Sequence, residues 1–185
     1  MDCEMVGSGK YGQTSVLARV TLVDWNGRII YDAYISPEVP VTDYRTFVSG
    51  ITEDNLKGAG SFDTCRAEVL ELLQGKVLVG HALKNDLYAL DIRHPWSQTR
   101  DTGKYEPFMK TRYDNDVLWP RKLKELVSEK LHRDIQTAGV AHCPIEDAVA
   151  ALDLYKSVRA KWEKVMDYKI SKTRQIEQQH QQQAQ

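Results

Sequence analysis

The sequence predicts an α/β fold in which a mixed central sheet is flanked by helices. Three observations carry this. Strand-like runs come first, two of them joined by a turn signal at Asn26-Gly27. A short apolar run, residues 76–80 (KVLVG), then lies between helical segments, and the last clear pattern is an amphipathic helix from Pro144. Strands first, then strands alternating with helices, is the order of a mixed sheet covered by helices.

Residues 15–25 (SVLARVTLVDW) alternate, with Val16, Ala18, Val20 and Leu22 on one face. Asn26-Gly27 is expected to form a type I′ turn, with residues 28–35 (RIIYDAYI) as the returning strand. Residues 1–6 fit a third strand ending at Gly7, and 8–13, with two glycines, a loop. Residues 37–52 are irregular and contain Pro37 and Pro40. Thr52 suits the N-cap of a short helix, and Ser61 that of a longer one carrying Val69, Leu70, Leu72 and Leu73. Gly75 ends it. Residues 76–80 read as a buried central strand. Residues 82–91 read as a helix, 95–112 as a loop with a short strand near 99–102, and 123–131 (LKELVSEKL) as an amphipathic helix.

In the last helix Pro144 suits the first position, and Glu146 and Asp147 lie in the first turn, where acids suit the helix dipole. Ala148, Leu152, Tyr155, Val158, Trp162 and Val165 mark one face. Residues 1–168 are expected to be one domain, and the Gln-rich residues 169–185 a disordered tail.

A chain of 185 residues suits one domain and can bury roughly 70% of its unfolded surface. Its 42% hydrophobic content excludes a collagen-like or fully disordered chain. Its apolar runs fall far short of the ~20 residues of a membrane-spanning helix, so no membrane partner is expected. Met1-Asp2-Cys3-Glu4 puts acids where a signal peptide carries bases. The net charge of −1 speaks against a strongly electrostatic nucleic-acid binder, although acids that hold metal count as negative in this sum. Cys3, Cys65 and Cys143 contain no C-x-x-C, so reduced thiols in an intracellular protein are expected.

The candidate chemistry is acidic. Asp2 and Glu4, two residues apart on a strand, point to one face. Two neighbouring carboxylates repel each other and are costly to bury unless a hard cation joins them. Asp86 follows the 76–80 strand by six residues, near the sheet edge where open α/β sheets build sites; Asp91 competes with it. His142 and Asp147 flank a helix start, and Glu146 is the rival of Asp147. Histidine titrates near neutral pH and can take a proton from water. Four carboxylates and one histidine suit a two-metal phosphodiesterase, in which cations roughly 3.5–4 Å apart clamp the attacking and leaving oxygens.

Three strings carry a resemblance: Asp2-Cys3-Glu4-Met5-Val6-Gly7, Val79-Gly80-His81-Ala82-Leu83-Lys84-Asn85-Asp86, and His142-Cys143-Pro144-Ile145-Glu146-Asp147. In order, spacing and flanking residues they resemble the three motifs of the DEDDh 3′→5′ exonucleases, most nearly the RNA exonuclease 4 type and next the interferon-stimulated 20-kDa type. Residues 41–46 (VTDYRT), 48–50 (VSG) and Arg100-Asp101-Thr102 are similar too, and the likeness covers roughly residues 1–165. It implies an RNase H-like fold, with Asp2, Glu4, Asp86 and Asp147 holding two Mg²⁺ or Mn²⁺ ions and His142 as general base. It further implies hydrolysis of single-stranded RNA from its 3′ end with release of 5′-monophosphates. Pre-ribosomal RNA as substrate, a monomeric state and a nuclear, nucleolar location are expectations of the same kind.

Only Met1 precedes Asp2, so the first strand is expected to start short, with Asp2 frayed, and no basic N-terminal extension is seen. Nucleotide contacts are expected from Met5, Arg45 and His81. Lys104, Lys110, Arg112, Arg121, Lys122 and Lys124 are candidates to follow the RNA backbone. Trp25, Trp96, Trp119 and Trp162 form no recognisable stacking platform, and Trp162 suits the core. Two rival functions are a DNA-directed 3′→5′ exonuclease and a catalytically silent RNA-binding module in ribosome assembly.

Overall fold

The computed structural model describes residues 1–112 and 115–183. Three strands open it: β1 (Asp2–Ser8), β2 (Thr14–Val23) and β3 (Ile29–Tyr34). β4 (Val41–Asp43), α1 (Thr46–Ser49), α2 (Glu53–Leu56) and α3 (Phe62–Leu73) follow. β5 (Leu78–Gly80), α4 (Lys84–Ala89) and β6 (Thr99–Asp101) lead to the hairpin β7 (Lys110–Arg112) and β8 (Asn115–Trp119). α5 (Leu123–Leu131) and α6 (Pro144–Gln183) complete the chain.

The main sheet has the order β3-β2-β1-β4, antiparallel throughout. Beside it β5 and β6 pair in parallel. Met1 N donates to Val79 O at 2.8 Å, joining the start of β1 to β5. Of the expected 76–80 strand only β5 forms, beside the start of β1 and paired with β6; Lys76 and Val77 are exposed and outside it. A methyl group on Gly80 would stand 2.8 Å from Met1 O, so only glycine lets these backbones approach so closely.

β1 divides its side chains by strand alternation. Met1, Cys3 and Met5 pack into the core with Leu17, Val20 and Leu83, while Asp2 and Glu4 take the other face. Asp2 is not frayed: it pairs with Thr21 of β2. α6 packs across β1, β2, β5 and α5. Ala148, Leu152, Tyr155 and Trp162 are buried as the helical spacing predicts. Val165 is not; Met166, four residues past Trp162, is buried in its place.

Several local expectations are corrected. Only Gly27 of the Asn26-Gly27 pair has positive φ (78°), so the hairpin turn is not type I′, which needs both. Instead Gly27 N–H donates to Asp24 O at 3.0 Å, and Asp24 Oδ1 accepts from the Asn26 and Arg28 amides. The expected loop at 95–112 ends in β7. Residues 169–183, expected to be disordered, continue α6. Gln, Lys, Arg and Glu are good helix formers, so this stretch keeps the helix going without a buried face. Ala184 and Gln185 lie outside the described residues.

One buried ion pair ties β6 to α6. Arg100, 2% exposed, donates through Nε and Nη2 to both Glu163 oxygens at 2.7 Å. Tyr155 Oη donates to the same carboxylate at 2.8 Å. Removing one partner of such a pair leaves an uncompensated charge, so Arg100→Ala should destabilise the fold by about 3 kcal/mol. The melting temperature should fall by roughly 6–12 °C. A shift under a degree in calorimetry would mean that the pair contributes nothing net.

Candidate active site

The five residues singled out by spacing come from four places in the chain. β1 supplies Asp2 and Glu4, α4 supplies Asp86, the loop before α6 supplies His142, and the first turn of α6 supplies Asp147. Glu4, Asp86 and Asp147 are buried, and Asp2 is half-buried. His142 Nδ1 lies 3.8 Å from Asp147 Oδ2.

The four carboxylates feel one another. Burial, and then the charges of Asp86, Asp147 and Glu4, hold Asp2 well above the usual carboxylate range. Burial, with Asp147 beside it, pushes Glu4 up to about 8. Burial brings Asp86 to about 6 and raises Asp147 as well. Desolvation and like charge both disfavour ionisation. Asp147 Oδ1 is buried with no hydrogen-bond partner. A cluster of four acids with an orphaned oxygen is suited to a hard, oxygen-seeking cation, although among the described residues no three such groups already stand in a closed metal cage.

The two rivals are resolved. Asp91 is exposed and faces Arg66 at 3.5 Å, away from the cluster. Glu146 is exposed and accepts the Gln136 amide at 3.4 Å, while its neighbour Asp147 turns inward.

The expected nucleotide contacts are less free than the sequence suggests. The Arg45 guanidinium donates to Gly12 O at 2.7 Å and Ser15 Oγ at 2.9 Å, tying down the loop after β1. His81 Nδ1 lies 2.9 Å from Thr102 Oγ1, which fixes the ring at the end of β5. Met5 is half-buried against the core. Of the candidate backbone-tracking cations, Arg121 is paired with Glu125 and Glu129, and the side chain of Arg112 lies outside the described residues.

Sequence reasoning missed Gln136. Its Nε2 donates to Asp147 Oδ2 at 2.8 Å, from a backbone with φ of 51°. No local pattern marks a lone glutamine in a loop. It also missed the bond from His142 N to Val48 O, 2.7 Å, which holds the histidine loop against α1.

Comparison with known proteins gives the family. The exonuclease family model of RNase T type matches residues 1–155. The chain belongs to this exonuclease family. The chain is 46% identical over 163 residues to human RNA exonuclease 4, covering 88% of this chain and 37% of that protein. It is 45% identical over 163 residues to human apoptosis-enhancing nuclease, covering 88% of this chain and 50% of the relative. The chain thus spans half or less of the length of these relatives. The catalytic unit of Neurospora crassa Pan2, its protease and nuclease domains, superposes with a TM-score of 0.73 at 26% identity, over 93% of this chain and 28% of that one. The Saccharomyces cerevisiae Pan2 module solved with AAGGA RNA superposes at 0.72 and 27% identity, over 95% of this chain and 32% of that one. The fold is accordingly the RNase H-like α/β fold.

Proposed function

We propose that the chain is a metal-dependent exoribonuclease of the DEDDh type that works from the 3′ end and releases 5′-mononucleotides. We further propose ribosomal RNA processing in the nucleolus as its setting. The observation that carries the reading is the cluster of four mutually repelling carboxylates, with His142 3.8 Å from one of them. The RNA substrate is supported by the relatives named RNA exonuclease 4 and by the yeast Pan2 module with bound RNA.

Asp2, Glu4, Asp86 and Asp147 would hold two divalent cations, Mg²⁺ or Mn²⁺. When bound, such ions stabilise the charge on the attacking and leaving oxygens of an in-line displacement. The chain's own residues do the rest. His142, half exposed beside Asp147, takes the proton from the attacking water. Gln136 holds Asp147, whose Oδ2 lies 3.8 Å from His142 Nδ1. The burial of Glu4 and Asp86 keeps bulk water from the acids.

The direct test is a 5′-labelled single-stranded RNA incubated with and without Mg²⁺ or Mn²⁺, beside a DNA of the same sequence. A metal-dependent ladder shortening from the 3′ end, faster on RNA, is the expected result. Faster cleavage of the DNA would favour the DNA-directed reading. RNA binding without metal-dependent cleavage would favour a silent binding module. His142→Ala should lower the rate by roughly 10²–10⁴, the usual worth of a general base. An unchanged rate would remove His142 from the mechanism.

A further inference from the structure

We propose that the chain carries a second nucleic-acid site, a cleft behind α4 that binds single-stranded RNA upstream of the 3′ end; this rests on the exoribonuclease reading above. A cavity of about 780 Å³ is lined by α4, the loop that follows it and the middle of α6. It is distinct from the acid cluster by helix geometry. Lys84, Leu87 and Tyr88, three and four residues apart, share the face of α4 that lines the cavity. Asp86, buried in the cluster, projects from the opposite side.

Two features of the cleft match a single strand. The first is aromatic. Tyr88 is 83% exposed and Trp96 52% exposed, both on the cavity wall. Tyr105 lies flat against Trp162, with ring centroids 4.2 Å apart, and braces the same wall. Open rings beside a basic groove are what successive bases stack on.

The second feature is charge. Lys84, Arg93, Lys104 and Lys169 line the cavity, with Asp101 and Glu106. Among the described residues none of these four cations has an ion-pair partner. This is a local positive excess on a chain of net charge −1, and it complements a phosphate backbone.

The cleft and the acids stand on two sides of one helix, about 10–12 Å across with its side chains. An RNA whose last nucleotide sits at the acids would pass round α4 to bring its upstream nucleotides to the cleft. Long RNAs gain affinity there that short ones do not.

The test compares the full chain with two double variants, Tyr88→Ala/Trp96→Ala and Arg93→Glu/Lys169→Glu. Fluorescence anisotropy in EDTA gives the Kd for a 12-nucleotide single-stranded RNA, and hydrolysis of a trinucleotide with Mn²⁺ reads the acid site alone. The aromatic variant should weaken the 12-mer about tenfold or more, since base stacking carries that much per ring. The charge variant should flatten the salt dependence of 12-mer binding. Trinucleotide turnover should stay at the parent level in both. Unchanged 12-mer affinity in both variants would overturn the cleft, as would an equal loss on the trinucleotide. No trinucleotide hydrolysis by the parent chain would count against the exoribonuclease reading instead, and the 12-mer Kd values would still judge the cleft.

Discussion

Asp147→Asn is expected to abolish turnover while leaving the fold intact. Asparagine keeps the shape of the side chain and can still meet Gln136 through its carbonyl oxygen, so α6 should start as before. What it removes is a buried negative charge whose Oδ1 has no protein partner. The ordinary cost of deleting a buried polar group is therefore absent here. Without metal the variant should melt at or above the parent temperature, because burial and Glu146 already disfavour the Asp147 charge. Activity and stability should thus move in opposite directions. Full activity on labelled RNA would sink the assignment of Asp147. A large fall in melting temperature would show that its charge is structural.

The second large effect is on stability against pH and metal. Glu4 and Asp86 are held up, at about 8 and about 6, against ordinary values of 4.5 and 3.8. A raised carboxyl pKa means that the folded state prefers the protonated form. Its stabilisation is complete below the unfolded pKa and is lost as pH rises through the folded one. The metal-free chain should therefore lose stability between about pH 4 and 8, on the order of several kcal/mol in sum. That corresponds to a fall in melting temperature of roughly 10 °C. Asp32 and Glu163, held low by Arg19 and Arg100, act in the opposite sense only below this window. Mn²⁺ at pH 8 should restore what was lost, since it binds the ionised acids, and EDTA should remove it again. A melting curve indifferent to pH from 5 to 8, in EDTA, would contradict the close packing of these acids.

What was legible in the sequence is what depends on near neighbours. Asp2 and Glu4 share a face because strands alternate. Ser61 caps α3 because its hydroxyl meets the Thr64 amide at 3.2 Å, three residues on. Pro144 begins α6, and Asp147 falls in its first turn. The three motif strings were recognisable because each is contiguous. What was not legible depends on partners far along the chain. Arg45 looked available for phosphate, yet its guanidinium closes on Gly12 and Ser15, thirty or more residues earlier. His81 is fixed by Thr102 from the neighbouring strand. The helix from 169 to 183 was missed for a different reason: low complexity was read as disorder, although its residues favour helix.

Gln136 has one more consequence. By donating to Asp147 Oδ2 it engages one lone pair of that oxygen and leaves Oδ1 without a protein partner. In the proposed reading Asp147 would then present Oδ1 as its readier contact. Calcium gathers roughly six to eight oxygens and often takes both from one carboxylate, whereas magnesium keeps a strict octahedron of single contacts. In that reading, a carboxamide bonded to Asp147 Oδ2 would favour the cation that takes one oxygen from each carboxylate.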